Sequence, residues 1–367
     1  MTSSVGDVVA ALERCYDPAY AEPWDAVGLV CGDPTSSVDR VLFAVDPIAS
    51  VVEEAVDVGA QLLVTHHPLF LGGTTSVAAT TAKGRVVHRL VTNGIALFVA
   101  HTNADVASPG VSDALAATLD VVDVEPLAPG GTSMDKIVAF TPKDAVDPVL
   151  DAMAAAGAGT IGAYERCAYL GEGVGTFNGG ADASPTVDSP VAETRIEMVA
   201  PRSRRAAVIR ALLEVHPYEE PAYDVYELAS LPSGRGLGRI GRLREPMSLD
   251  AFTRHVANAL PCTAWGVRAA GDPNKQIRTV AVCGGSGGDL AARAKSAGAD
   301  VLVTADLKHH ATSEAVDELG IALVDAAHWA TEWPWLQQAA GVVATTVEAT
   351  VSTTVTDPWT VHHRKDS

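Results

Sequence analysis

The sequence is poor in aromatic and basic residues and contains no long apolar run. Phenylalanine, tryptophan and tyrosine make up 5% of the 367 residues, and 26 lysines and arginines are outnumbered by 45 aspartates and glutamates, which gives a net charge of −19. Such an acidic surface repels nucleic-acid phosphates and anionic lipids, so binding to either by general electrostatics is disfavoured. No run reaches the roughly 18 apolar residues that a membrane helix needs. We therefore expect neither a membrane protein nor a nucleic-acid-binding protein.

Cysteine is also scarce, and its spacing excludes two common kinds of site. The five cysteines lack the CxxC spacing of zinc-binding and redox motifs: Cys15, Cys31, Cys167, Cys262 and Cys283. We interpret them as reduced, mostly buried side chains of a cytoplasmic protein. The first residues lack a basic region followed by a sustained apolar core, so we predict no signal peptide.

What the sequence does contain is a regular alternation of strand-like and helical patterns. Aliphatic runs at residues 41–45, 61–64 and 95–99 are separated by helical segments near residues 49–58 and 83–92. Short aliphatic runs of this kind are typical of buried parallel strands. The alternation predicts an α/β fold built from βαβ units.

Several of these phrases return near the C-terminus in the same order. Residues 59–65, GAQLLVT, return as residues 298–304, GADVLVT, and residues 94–97, GIAL, return identically as residues 320–323. Short alanine-rich phrases can coincide, but their shared order makes chance the weaker explanation. We therefore predict an internal duplication that gives two related α/β lobes.

The block between the two copies has a different pattern. We predict three segments: residues 1–128 as the first lobe, 129–235 as an inserted ferredoxin-like α+β domain, and 236–367 as the second lobe. Within the insert, the glycine-rich run at residues 171–177 opens no evident helix and lacks the Lys-Ser/Thr of a phosphate-binding loop. We expect it to form a turn between strands.

Candidate metal ligands follow the predicted strands. His66 and His67 come directly after the run at residues 61–64, and Pro68 then turns the chain away from the sheet. Ligands of α/β sheets bind at this carboxyl end of the strands. Taken alone, the pair could equally be two hydrogen-bonded loop histidines.

Two further strand ends favour the metal interpretation. His101 and Asp105 follow the strand at residues 95–99, and His328 and Glu332 follow the repeated phrase near Ile321. His328 and Glu332 are four residues apart, so on a helix they share one face and can reach one ion. Three imidazoles and two carboxylates suit two divalent ions with a bridging carboxylate. For His101 we favour a supporting role beside the ligands over a proton shuttle.

Other histidines have plainer interpretations. We expect His309 and His310 to begin a helix, with a place in the same cavity as the alternative. His216 should stabilise a turn of the insert, and the alternative is again a cavity-lining role. The pair at residues 362–363 lies in a short polar tail and should be solvated.

Taken together, these motifs resemble the Nif-three-like dinuclear-metal proteins, often labelled GTP cyclohydrolase I type 2 homologues. The matching phrases span the chain: WDAVGL at 24–29, THHP at 65–68, HTNAD at 101–105, MDKIV at 134–138, GTF at 175–177, HPYEEPAY at 216–223 and DAAHWATE at 325–332. Two positions depart from the family pattern. Ala26 replaces the usual asparagine, and Ala327 replaces the usual glycine before the last histidine.

The resemblance implies both a ligand set and an assembly. His67 and Asp105 would bind one divalent ion, His66 and His328 the other, and Glu332 would bridge them. Zinc, manganese and iron are all plausible metals. Family members resemble hexameric toroids whose metal sites face an inner cavity, which implies a homo-hexamer here.

These features support two hypotheses about function. The first is a metal-dependent hydrolase of a small phosphate-bearing or nucleotide-like molecule, because a dinuclear site can activate water and bind an oxyanion. The second is a non-enzymatic protein, either a metal carrier or an oligomeric scaffold. No purine-binding motif and no Cys/His pattern of a zinc deaminase is visible in the sequence.

Overall fold

The computed structural model describes residues 3–130, 133–177, 190–229 and 234–363. The chain forms two compact units: the first combines Met1–Gly130 with Ser233–Ser367, and the second is Gly131–Pro232. None of the helices within the described ranges is long and apolar enough to cross a membrane.

The described residues form a mixed α/β structure. Its strands are β1 (Ser3–Ser4), β2 (Gly28–Cys31), β3 (Ser37–Val38), β4 (Arg40–Ala44), β5 (Leu62–Thr65), β6 (Ala96–Val99), β7 (Val122–Pro129), β8 (Met134–Thr141), β9 (Tyr169–Gly175), β10 (Val191–Pro201), β11 (Tyr223–Glu227), β12 (Gly236–Ser248), β13 (Val267–Ala270), β14 (Gln276–Val282), β15 (Val301–Thr304), β16 (Ala322–Ala326) and β17 (Glu348–Val351). Its α-helices are α1 (Val5–Cys15), α2 (Ala49–Asp57), α3 (Ala82–Thr92), α4 (Thr102–Val106), α5 (Val111–Thr118), α6 (Val146–Ala155), α7 (Arg205–Val215), α8 (Leu249–Ala259), α9 (Ala291–Ser296), α10 (His309–Glu314) and α11 (His328–Val343).

Two sheets organise the first unit. In the five-stranded sheet, of order β17-β4-β5-β6-β2, only the edge strand β2 runs antiparallel to its neighbour. The six-stranded sheet has the order β13-β16-β15-β14-β12-β7, and its adjacent strands β16, β15 and β14 are parallel. The strands β4, β5 and β6 confirm the predicted aliphatic strands, and nearly all of their residues are buried as continuous apolar runs.

One hydrophobic core joins the facing sides of the two sheets. It includes Phe43 and Val64 from the five-stranded sheet and Val282 and Val303 from the six-stranded sheet. Side chains of α1, α5, α8 and α11 pack in the same core, and α11 contributes the fully buried Trp335. Helices α2 and α3 cover the outer face of the five-stranded sheet, and α9 covers that of the other. Helix α11 is therefore held firmly, and with it the residues of its first turns.

The second unit is an antiparallel sheet with two helices. Its elements follow in the order β8, α6, β9, β10, α7, β11, and the strands lie side by side as β11-β8-β10-β9. Helices α6 and α7 supply the apolar residues that pack on one face of the sheet. Among the described residues, these four strands pair only with one another.

Two local expectations were wrong. Residues 171–177 do not form a turn: most of them belong to β9, which pairs with β10 over seven positions, because ladder hydrogen bonds to a neighbour outweigh the low strand propensity of glycine. The cysteines are not mostly buried either. Only Cys283 is buried, whereas Cys15 and Cys262 are exposed, since helix periodicity places Cys15 on the solvent side of α1.

Candidate metal centre

The ends of three parallel strands bring histidines together in the first unit. His66 and His67 directly follow β5, and His101 follows β6 and precedes α4. His328 is the first residue of α11, which begins after β16. The rings of His66 and His67, of His66 and His101, and of His67 and His328 have centroids 5.2 Å apart. Strand ends that are distant in sequence thus supply one compact cluster.

Each of these histidines is held through its Nδ1 atom. The Nδ1 of His66 lies 2.9 Å from the carbonyl oxygen of Ala100. Three carboxylates hold the other rings: the Nδ1 of His67 lies 2.7 Å from Asp46, that of His101 2.9 Å from Asp25, and that of His328 2.6 Å from Asp306. An imidazole that donates from Nδ1 presents the lone pair of Nε2. This is how metal-binding histidines are oriented in proteins.

The Nε2 atoms converge on Glu332. Glu332 lies one helical turn after His328, and its Oε1 is 2.9 Å from the Nε2 of that histidine. The Nε2 of His67 is 3.0 Å from Oε2, and the Nε2 of His66 is 3.5 Å from Oε1. Asp105 approaches from α4, with its Oδ1 3.6 Å from the Nε2 of His66. All five residues predicted as ligands therefore lie in one place.

Two buried atoms at the centre lack hydrogen bonds. Within the described ranges, neither the Nε2 of His66 nor the Oε2 of Glu332 has a partner with hydrogen-bond geometry, although the Nε2 of His67 lies 3.0 Å from that Oε2. A buried polar atom without a partner costs about 1–3 kcal/mol, so such atoms in a native protein call for a ligand or an ion. The donor set of imidazoles and carboxylates fits a divalent transition metal.

The positions of possible ligand atoms define two overlapping groups. The atoms of His66, His67 and His101 all lie within 4.8 Å of one another, and so do those of His67, His328 and Glu332. His101 is thus as close to the centre as the predicted ligands, although its Nδ1 is fixed by Asp25. From the sequence alone, only a supporting role is expected for His101.

Burial and charge shift the pKa values of the cluster in opposite directions. Burial lowers the pKa of His67, but the carboxylates of Glu332 and Asp46 outweigh it, so that this pKa lies well above the usual value. The same opposition raises the pKa of His328 to about 9. Burial raises the pKa of Asp105 to about 6, whereas the pKa of Glu332 lies well below its usual value because three histidines outweigh its burial. The cluster therefore gathers protons on its imidazoles when no metal competes for them.

Several supporting residues were not found by sequence reasoning. Asp46 and Asp306 follow the ends of β4 and β15, where their positions beyond a parallel strand were the available signal. Asp25 lies in the WDAVGL phrase, but that phrase alone gives no hint of its contact with His101.

Gly285 has φ +64°, and a Cβ there would lie 2.5 Å from the Oε1 of Glu332, so only glycine fits beside the carboxylate.

The two departures from the family pattern are accommodated locally. Ala327 precedes α11 with φ −63° and ψ 137°, a backbone conformation open to any residue with a side chain. The amide of Ala26 donates to the Oδ1 of Asp25, an interaction that needs no side chain at position 26. With alanine at both positions, Asp25 still holds His101 and His328 still begins α11.

The remaining histidines lie elsewhere. His309 begins α10 and lines a separate cavity with Arg268 and Asp325, as the helix-start interpretation predicted. His216 belongs to the second unit, where its Nε2 lies 3.0 Å from the carbonyl oxygen of Phe140 and its Nδ1 accepts the amide of Tyr218. The predicted structural turn is confirmed.

Comparison with known protein families gives a match over almost the whole chain. Residues 3–358 match the family model described as Duf34/NIF3 (NGG1p interacting factor 3). The chain belongs to this family. The resemblance inferred from the motifs is therefore confirmed.

Named relatives of the NIF3 family align over almost the whole chain. A Mycobacterium tuberculosis protein named GTP cyclohydrolase 1 type 2 homolog is 47% identical over 376 residues, covering 99% of this chain and 98% of the relative. A Streptomyces coelicolor protein of the same name is 40% identical, covering 98% and 94%. The crystal structure of a Bacillus cereus protein related to NIF3 has a TM-score of 0.67 and 36% identity, covering 98% of this chain and 99% of the other.

Proposed function

We propose that this NIF3-family protein is a dinuclear metal-dependent hydrolase of a small phosphate-bearing or nucleotide-like molecule. The observation that carries the proposal is the convergence of Nε2 atoms on Glu332, whose Oε2 has no hydrogen-bond partner among the described residues. The relatives' name, GTP cyclohydrolase 1 type 2 homolog, agrees with a nucleotide-like substrate.

In this proposal the five residues divide between two ions. His67 and Asp105 would hold one ion, His66 and His328 would hold the other, and Glu332 would bridge them. When bound, such ions supply electrophilic polarisation of a substrate oxygen and lower the pKa of a water molecule.

The chain's own contribution is orientation. Asp46 and Asp306 fix the rings of His67 and His328, so each Nε2 is presented without reorganisation. His101, held by Asp25, borders the same space with a pKa that burial lowers, so it is mostly neutral near pH 7 and able to accept a proton.

The test is a screen of the metal-loaded protein against phosphoesters and nucleotides, with zinc, manganese and iron each supplied in turn. We expect turnover that Glu332→Gln abolishes. Tight metal binding without turnover of any phosphoester or nucleotide would favour the alternative, a metal-handling protein. A wild-type protein that binds no metal after loading would refute both.

We also propose the finer architecture and assembly that the sequence implies. The parallel triplets β4-β5-β6 and β14-β15-β16, each followed by cluster residues at its carboxyl ends, support an origin by duplication. The βαββαβ order of the second unit supports a ferredoxin-like insert. We propose a cytoplasmic homo-hexamer, which light scattering tests: a monomer mass across a wide concentration range would contradict it.

A further inference from the structure

Two cavities with different linings adjoin the cluster in the first unit. Both are lined by Asp46, His67 and Pro68. One has a volume of about 570 Å³ and extends from these residues toward Trp265 and Trp359. The other has a volume of about 630 Å³ and extends toward Lys83 and the helices α2 and α3. A ligand at the cluster therefore has room on either side.

The first cavity has an aromatic wall, which we define as Trp265 and Trp359. Their ring centroids are 5.6 Å apart with an interplanar angle of 38°, so they contact each other and leave no slot for a third ring between them. Trp359 is 59% exposed. The guanidinium of Arg268 lies over Trp265 at 4.6 Å but is paired with Asp325. Such a surface is suited to stacking a planar ring.

The charge of this first cavity is acidic. Asp46, Asp306 and Asp357 line it, and no lysine or arginine occurs among its described lining residues. Asp357 is only 7% exposed, and its Oδ2 has no hydrogen-bond partner within the described part of the chain. Away from the proposed ions, these three carboxylates favour a ligand group that donates N–H hydrogen bonds over a further anion. The lining therefore favours a heterocycle that carries an amino group.

The second cavity has the opposite character. Lys83, Arg85 and Arg89 line it, and Arg89 is paired with Glu53 at 2.7 Å. Lys83 is exposed, and its Nζ lies 5.7 Å from the ring centroid of Phe70. The lining also includes Ala49 and Ala82, the first residues of α2 and α3, where backbone amides favour anions. The charge here suits a phosphate group.

We propose that the substrate is a nucleotide-type molecule bound across the cluster by its two ends. Its amino-bearing base stacks on the aromatic wall beside Asp357, and its phosphates extend toward Lys83. The inference rests on the proposed hydrolase function, because it identifies the substrate class of that same site.

Isothermal calorimetry on the metal-loaded, full-length protein tests it with two probes, guanosine and guanosine 5′-(β,γ-methylene)triphosphate, an analogue whose terminal P–C–P link resists hydrolysis. We expect Trp359→Ala to weaken both probes by about tenfold, the effect of losing one base-stacking side chain. Lys83→Glu should weaken only the analogue, by about tenfold or more. Both side chains are exposed, so neither change disturbs the core.

Matched controls come from the second unit. Tyr164 is 75% exposed, and Lys143 has an 87% exposed side chain, so Tyr164→Ala and Lys143→Glu should change neither affinity. A third variant tests the amino group: Asp357→Asn should remove any preference for guanosine over inosine, which lacks the exocyclic amine. Trp359→Phe should restore most of the guanosine affinity lost in Trp359→Ala.

The proposal is overturned if wild-type protein does not bind guanosine, if Trp359→Ala leaves guanosine binding unchanged, or if Lys83→Glu weakens guanosine as much as the analogue. Guanosine contains no phosphoester, so its binding is independent of turnover. Guanosine binding without any hydrolysis would therefore refute the hydrolase alone, and hydrolysis without guanosine binding would refute this inference alone.

Discussion

Glu332 and Asp135 are buried carboxylates, one in each unit, and their surroundings differ. Asp135 is fully buried, and both of its oxygens accept hydrogen bonds from Arg205, at 2.7 and 2.9 Å. Glu332 is 3% exposed and surrounded by imidazoles, and among the described residues its Oε2 has no partner with hydrogen-bond geometry, although the Nε2 of His67 lies 3.0 Å away. Arginine stays charged at any physiological pH, whereas imidazoles exchange protons for metals. A carboxylate paired in full stabilises a fold, and one left partly unpaired among imidazoles can bind an ion.

The largest expected effect on metal binding is that of Glu332→Ala. Loss of the carboxylate proposed to contact both ions should lower metal affinity by more than about 100-fold, beyond the 10–100-fold typical of changes around the ligands. Metal analysis of the purified variant measures this. His66→Ala, which removes one imidazole, should retain more metal. If Glu332→Ala keeps the full wild-type metal content, the bridging role is wrong.

The carboxylates that hold the histidine rings should have the next largest effect. Asp306→Asn and Asp46→Asn each weaken the hydrogen bond that orients an Nε2, so each should reduce metal affinity by about 10–100-fold. Competition with a chelator measures the affinity. The control is Asp57→Asn, an exposed aspartate on α2. Equal affinities for Asp306→Asn and the control would show that the contact with His328 does not matter.

Metal affinity should also depend on pH, with a sign set by His328. Burial lowers the pKa of His328, but the carboxylates of Glu332 and Asp306 outweigh burial and raise this pKa to about 9 in the absence of metal. Below that pH a binding metal must displace the proton of His328, and also those of His66 and His67, whose pKa values are raised as well, so metal affinity should increase with pH up to at least about pH 9. Calorimetry in buffers of different ionisation enthalpy counts the protons released. A pH-independent affinity would contradict the raised pKa.

Asp135→Asn should have no effect on metal binding and a clear effect on the second unit. Its removal leaves Arg205 without a bidentate partner, so melting of this unit should begin at least about 5 °C lower. Differential scanning calorimetry with metal analysis of the same sample measures both. Asp151→Asn is the control, because Asp151 pairs with Arg166 on the surface of the same unit and both side chains are largely exposed. A change in the metal content of Asp135→Asn would contradict the prediction that, of these two carboxylates, only Glu332 takes part in metal binding.

The sequence by itself determined the strand ends and the residues they carry. His66 and His67 follow an apolar run that is long enough for one buried strand and is ended by Pro68. The four-residue spacing of His328 and Glu332 places both on one helical face, wherever α11 lies. Strand burial and helix periodicity are local properties, so they are visible without a structure.

Only the tertiary structure decided which groups support and complete this cluster. Asp46, Asp306 and Asp25 lie 21, 22 and 76 positions from the histidines they hold, and no local pattern links such distant residues. Sheet pairing similarly turned the glycine-rich run into β9. The aromatic wall of Trp265 and Trp359 is likewise formed by chain folding. Contacts between distant residues depend on how the sheets and helices pack, whereas the proposed ligands follow from the periodicity of each element.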